Sequence, residues 1–414
     1  MLSPAWARRL ATRMLPDCRG LPRAFWVLWG ATFVDRLGGF VLPFLSIYLT
    51  VARGLSVERA GAVAALHGLG SLLSGPIAGG LADRFGRKPV LVGAMTASAA
   101  SLLCLAVARD PLWIGIGVAA FGFLSSAARP AQWATLADVV PPADRARAFG
   151  LLYWVINLAF AVAPILAGLL WKLGPAALFV GDAATTLLCV GLIVGFVSES
   201  RPEGRMPSAS TTLLEPLRDR PFARFVLLTF VGALVFQQAF VALPLDMTAK
   251  GIAPGAYGAL MAINGVLIVA LQPALSTRAR SHDPRRVIAL GVLLVGCGFG
   301  LTALATSPAA FAGCIAVWTV GEILWLPLFP AVVASLSPTD LRASYQGASQ
   351  LAWGASALLA PILGTFALGH LGSAVLWISC FAGALLSAVG QWAAARTGRS
   401  APDPSGGGAG RAAR

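Results

Sequence analysis

GGLADRFGRKPV, residues 79–90, sets Asp83, Arg84, Arg87 and Lys88 among three glycines, between two long apolar runs at 60–82 and 89–108. At 1.5 Å per residue, runs of roughly 20 residues cross a hydrocarbon core of about 30 Å. The stretch therefore reads as a tight charged turn joining two membrane-spanning helices. Glycine suits such a turn, where the backbone must bend or approach a neighbour closely.

The same alternation of greasy block and short polar joint runs through the chain. Of its 414 residues, 57% are hydrophobic and 12% charged, about half the charged fraction of an ordinary soluble domain. Apolar blocks fall near 24–50, 58–82, 89–108, 111–137, 147–171, 175–197, 222–249, 255–277, 287–306, 308–336, 343–368 and 371–395. Twelve spans are expected, in an all-α membrane protein. The polar, Pro-rich segment 198–221 divides them into six-span halves, 24–197 and 222–396, flanked by a basic segment 1–23 and a tail 397–414. The end of that tail, APDPSGGGAGRAAR, has the composition of a disordered segment.

The net charge is +14, but the basic residues lie between apolar blocks, so membrane topology accounts for them and nucleic acid is excluded as a partner. With the N-terminus inside, 24 of the 31 Lys and Arg fall on the cytoplasmic side, and only Arg53, Arg59, Arg109, Lys172 and Lys250 lie outside. Retention of basic residues on the inner face then puts both termini in the cytoplasm. The chain has 28 Arg against three Lys with abundant Ala and Gly, which suggests a GC-rich bacterial genome and hence a bacterial plasma membrane. The six cysteines form no CxxC pair, and His67, His282 and His370 share no ligand spacing. Neither a disulfide framework, a metal nor a cofactor is expected, and no nucleophile-and-base pair suggests an enzyme.

Shifting the sequence by 197 residues superimposes Gly54 on Gly251, Pro76 on Pro273, Pro111 on Pro308, Pro130 on Pro327 and Pro141 on Pro338. In the same register Ala163-Pro164-Ile165-Leu166 falls on Ala360-Pro361-Ile362-Leu363. Gly and Pro mark fixed backbone geometry within spans. An offset of six spans preserves direction, so a parallel repeat of two pseudo-symmetric bundles is expected.

The turn resembles motif A of the major facilitator superfamily, G-x-L-x-D-R-x-G-R-K/R between spans 2 and 3, matched at Gly79, Leu81, Asp83, Arg84, Gly86, Arg87 and Lys88. The resemblance implies the major facilitator fold and a cytoplasmic gate. Asp83 would meet the start of span 11 near Arg342 to Gln346, and Asp138 would partner Arg84 or Arg87. Arg129 and Gln132 in span 4 match the R-x-x-Q of the antiporters' motif B, with Trp133 where glycine is expected. NLAFAVAPILAG (157–168) resembles their motif C and keeps Pro164 and Gly168, with alanines at other glycine positions.

Asp35 and Arg36, about 12 residues into span 1, and Glu322, about 14 into span 10, lie near mid-membrane. Charges there are costly unless they face a partner or a watery cavity. Asp35 or Glu322 is a candidate for proton coupling. The alternative is a structural ion pair, Arg36–Glu322 or Asp35–Arg129. Arg129 has a further option, snorkelling or pairing with Asp138. Mid-span amides Asn157, Gln237, Gln238, Asn264 and Gln350 are candidates for a substrate cavity, with Trp26, Trp29, Tyr153, Trp154, Trp325 and Trp353 as its aromatic wall. The resemblance is greatest to twelve-span drug:proton antiporters. It implies a monomeric secondary transporter that exports a small molecule against protons by alternating access. A proton-coupled importer or facilitator, and a non-transporting receptor or assembly protein, are the alternatives.

Overall fold

The computed structural model describes residues 20–39, 41–141, 144–199, 215–279, 281–338 and 341–397, which form helices with no strand among them. Most of the expected N-terminal segment, linker and tail lies outside these residues. Eleven helical stretches are long and apolar enough to cross a membrane. The 29-residue helix Val57–Phe85 is long enough to make the twelfth. Side chains such as Val107, Trp113, Leu173, Phe196, Leu227 and Leu386 stand more than half exposed on the outside of the bundle, which suits a hydrocarbon solvent.

In the first half, α1 (Arg23–Leu37) and α2 (Val41–Ile47) form a broken first span. Then follow α3 (Val57–Phe85), α4 (Arg87–Val107), α5 (Pro111–Val139), α6 (Arg145–Leu173) and α7 (Ala176–Phe196). The second half opens with another broken span, α8 (Arg220–Gln237) and α9 (Ala242–Ala249). It continues with α10 (Pro254–Ala279), α11 (Pro284–Thr302), α12 (Pro308–Trp325) and α13 (Phe329–Leu336), then α14 (Arg342–Phe366) and α15 (Ser373–Thr397). Twelve crossings return the chain to the side it started from. That side is the terminal end of the bundle and the other the remote end.

The repeat seen in the sequence has a physical counterpart. Gly54 and Gly251, one repeat apart, both take left-handed backbone, φ +66° and +80°. The preceding residues, Arg53 and Lys250, each tie the end of a half's first span to the end of its third. Arg53 donates to the Ala108 carbonyl at 2.6 Å and Lys250 to the Thr302 carbonyl at 3.4 Å. Pro164 and Pro361 lie inside α6 and α14.

The halves meet along α3–α14 and α6–α10, with α2 touching α9. Towards the remote end the contact is backbone against small residue. A side chain on Gly265 would strike the backbone of Ala161, and one on Gly258 the Pro164 carbonyl. Gly168 faces Gly255, and Gly68 lies against the Ala357 backbone. This is how the Pro164–Gly168 segment acts in the fold: small residues let the helices approach closely. On the same face of α6, one to three turns nearer the terminal end, Gly150 and Tyr153 are exposed. Gln350, a turn before Gly354 on α14, is exposed as well.

Near the remote end of the second half lies a charged knot. Asp246, 1% exposed, accepts hydrogen bonds from Lys250 Nζ and Trp377 Nε1, both at 2.9 Å. Trp377 stacks on Phe299, which stacks in turn on Trp318. Lys250, in the turn after α9 and only partly exposed, therefore neutralises a buried acid from the loop position its sequence suggests. Removing one partner of a buried pair costs about 3–5 kcal/mol, while an apolar replacement of the whole pair is often tolerated. Asp246→Ala is expected to lower the thermal midpoint sharply in detergent, and Asp246→Ala with Lys250→Met to recover most of it. Gly265→Val is expected to destabilise by about 1–3 kcal/mol through overpacking, whereas the same change at Gly191, which has open space around it, leaves the midpoint near the parent value.

Candidate functional site

The break in the first span organises the site. Gly38 has no room for a side chain against Thr185 and Asp182 of α7, so the chain bends there and the end of α1 presents Asp35 and Arg36 to the interior. A cavity of about 270 Å³ opens beside them. Its polar lining is Asp35 and Arg36 from α1, His67 from α3, Ser98 from α4, Ser125, Arg129 and Gln132 from α5, and Asp182 and Thr186 from α7. Its apolar lining includes Leu42, Met95, Phe121, Ile156, Phe160 and Phe240. Phe160 and Phe240, one from each half, meet edge to face at 6.3 Å.

The electrostatics are those of two acids and two guanidinium groups. Arg36 Nε lies 3.8 Å from Asp35 Oδ2. It is shut off from solvent and makes no hydrogen bond among the described residues. Asp35 also faces the Thr186 hydroxyl and the more distant Arg129. Asp182, 6% exposed, reaches the Val41 backbone amide and faces Asp35 and Arg36. Gln132 Nε2 donates to Thr32 Oγ1 at 3.0 Å, bracing α5 against α1. Arg129 points into this cavity and not towards Asp138, so that option for it is corrected.

Other expectations are also revised. Glu322 belongs to a separate cluster in the second half, where Asn264 Nδ2 donates to Glu322 Oε2 at 2.7 Å and to Thr319 Oγ1 at 3.0 Å. Asparagine takes the place of Arg36 as its partner, and Tyr153 faces it from the first half. None of the five amides lines the 270 Å³ cavity. Gln238 Nε2 binds the Ala360 carbonyl at 3.0 Å, joining α8 to α14. Asn157 binds the Tyr153 carbonyl of its own helix, Gln350 is exposed and Gln237 half-buried. The six aromatic candidates lie elsewhere too. Trp29 donates to the Leu151 carbonyl and stacks on Trp154, with Trp26 against its edge. Trp325 stacks on Trp353 at 5.5 Å.

At the terminal end, Gly86 alone separates α3 from α4, at φ +96°. Glu199, just past α7, accepts from the amides of Arg87 at 3.1 Å and Lys88 at 3.2 Å. It thereby caps the start of α4, where free N–H groups favour an anion. Arg87 forms an ion pair with Asp138, Lys88 Nζ binds the Val194 carbonyl, and Arg84 lies over the Phe85 ring. The side chains of Asp83 and Arg342 lie outside the described residues, so the expected Asp83 contact does too. Pro164 and Gly168 belong to the seam between the halves.

Asp182, His67, Asp246 and Glu199 were missed by sequence reasoning. For Asp182 a signal existed: it is a lone charge in the block 175–197, at a depth close to that of Asp35. His67 carries no such mark, and Glu199 gains meaning only when the fold brings it to α4. Among the described residues no group of three or more His, Cys, Asp or Glu could hold a metal ion.

The sequence matches the Major Facilitator Superfamily over residues 28–361 and again over 225–413. It is 28% identical over 373 residues to a Na(+), Li(+), K(+)/H(+) antiporter of Planococcus maritimus, covering 81% of this chain and 87% of that protein. It is 28% identical over 324 residues to the multidrug resistance protein MdtH of Cronobacter sakazakii, covering 76% and 79%. Among solved structures, a POT family transporter aligns with a TM-score of 0.78 at 15% identity, over 90% of this chain and 96% of that one. The nucleoside transporter NupG aligns with a TM-score of 0.75 at 16% identity, over 90% and 99%. Twelve spans among the described residues, in two repeated halves, and a match along nearly the whole sequence lead to one conclusion: the chain belongs to the Major Facilitator Superfamily of membrane transporters.

Proposed function

We propose that this transporter exports a small organic molecule in exchange for protons, with Asp35 as the proton-carrying side chain. The observation that carries the reading is Asp35's place in the wall of a mid-span cavity, at a helix break and facing two arginines. A carboxyl group so placed can be neutral or ionised according to which side of the membrane the cavity meets, and its charge then biases which state the bundle adopts. The names of the relatives support antiport, and they offer two cargoes, alkali cations and drugs. A volume of about 270 Å³ with Phe121, Phe160, Phe240, Ile156 and Leu42 in its wall favours an organic molecule. Arg36 and Arg129 offset the two acids, so a bare cation would find little net attraction there.

The terminal end is taken as cytoplasmic, on the distribution of basic residues, and the membrane as the bacterial plasma membrane. The tight glycine seam at the remote end then corresponds to a state closed outwards. In this reading the turn at 79–90 gates the inner mouth, where Arg87–Asp138 and Glu199 fix α4 against its neighbours.

Purified protein in liposomes with an imposed pH gradient, monitored by a pH-sensitive dye, tests the reading. Addition of a drug-like substrate from a panel is expected to dissipate the gradient, and Asp35→Asn to abolish that response while leaving the folded protein monodisperse. Dissipation by NaCl or KCl but by no organic compound would favour alkali cation exchange. An unaltered response in Asp35→Asn would rule out its role.

A further inference from the structure

Asp182 is a buried acid with no part in the exchange described so far, and it shares the cavity wall with Asp35. We propose that Asp182 is a second proton-carrying acid, coupled to Asp35 across the cavity so that the two titrate as one unit. The inference rests on the reading of Asp35 as a proton carrier.

The argument is one of charge and geometry. The break at Gly38 presses the bend of the first span against α7 at Asp182 and Thr185, and Thr186, one turn of the wheel away, faces Asp35. Asp35 and Arg36 are the charged neighbours that face Asp182 from α1. Two carboxylates in one poorly solvated space resist ionising together, because each negative charge holds the proton on the other. The groups around them set the balance. α1 contributes Arg36, α5 Arg129, α3 His67 and α7 Cys189 below Asp182. α4 adds only Met95 and Ser98, and α6 only Ile156 and Phe160. Two cations face two acids, so the fully ionised cavity is neutral and each proton taken up leaves one positive charge in excess. The first proton therefore weakens the hold on the second, and the pair titrates in two macroscopic steps that spread over a wide pH range.

Labelling with dicyclohexylcarbodiimide, which modifies protonated buried carboxyl groups, gives a readout that needs no substrate. The fraction modified at Asp35 and at Asp182 is followed by mass spectrometry of the full-length protein in detergent from pH 5 to 9. Both acids are expected to label in the parent, with labelling falling as pH rises. In Asp182→Asn the midpoint at Asp35 should move to lower pH by about one unit or more, because the neighbouring negative charge is gone. Asp35→Asn should likewise move the Asp182 midpoint to lower pH; the acid that ionises second in the parent shows the larger shift, because only it titrates beside a charged neighbour. Asp182→Glu, which keeps the charge, should restore the Asp35 profile. If Asp182 served only to hold the Val41 amide, neither acid's midpoint would move in the other's Asn variant, and the inference would fall. If Asp182→Asn does not fold, the Asp35→Asn arm decides alone: an unshifted Asp182 midpoint overturns the coupling. Absence of Asp35 labelling at every pH in the parent would sink the proton-carrier reading, and the inference with it.

Discussion

A carboxylate halfway across a hydrocarbon layer must find a donor, a cation or water, since its isolated burial costs many kcal/mol. Among its described residues this chain places three such acids within spans and a fourth, Asp246, near the remote end, and answers the constraint in three ways. Asp246 is locked to Lys250 and Trp377 in a closed knot. Glu322 is held by the Asn264 amide, which is neutral. Asp35 and Asp182 share a cavity with two arginines that press on them without a full set of hydrogen bonds. The first arrangement is saturated and structural. The third leaves polar capacity unspent, which is what a site that must change charge requires.

How the chain positions that cavity follows from backbone chemistry. The Gly38–Gly39 pair breaks the first span where it meets α7, and a corresponding break between Gln237 and Ala242 interrupts the seventh. The break in the second half brings no acid to the same depth; it delivers Phe240 to the cavity wall and Gln238 to the Ala360 carbonyl. Duplication has preserved the geometry, down to the left-handed glycines 54 and 251, while Asp35 and Asp182 fall on Gly232 and Ser379 one repeat later.

Much of the fold was legible because span length and glycine–proline register are properties of the chain alone. Twelve blocks, two halves and the parallel repeat required no tertiary knowledge. The site was legible in part. Asp35, Arg36 and Arg129 announce themselves as charges in apolar runs, yet which of them meet depends on helix rotation, which spacing does not determine. The amides resist reading from spacing for a related reason: in a low-dielectric bundle a backbone carbonyl can take up an amide N–H, as Gln238 and Asn157 illustrate. Asp138 was legible through the resemblance, which implied Arg84 or Arg87 as its partner. Its partner is Arg87, from the neighbouring turn, and not the Arg129 two turns earlier on its own helix.

The closest approaches between α6 and α10 are made by Ala161, Pro164, Gly168, Gly255, Gly258 and Gly265, residues that carry almost no rotamer entropy. Parting such surfaces releases no frozen side chains, and rejoining them freezes none. The two bodies therefore mate like machined faces: their contact is governed by shape and dispersion forces and stays nearly indifferent to the conformational disorder that slows most protein docking.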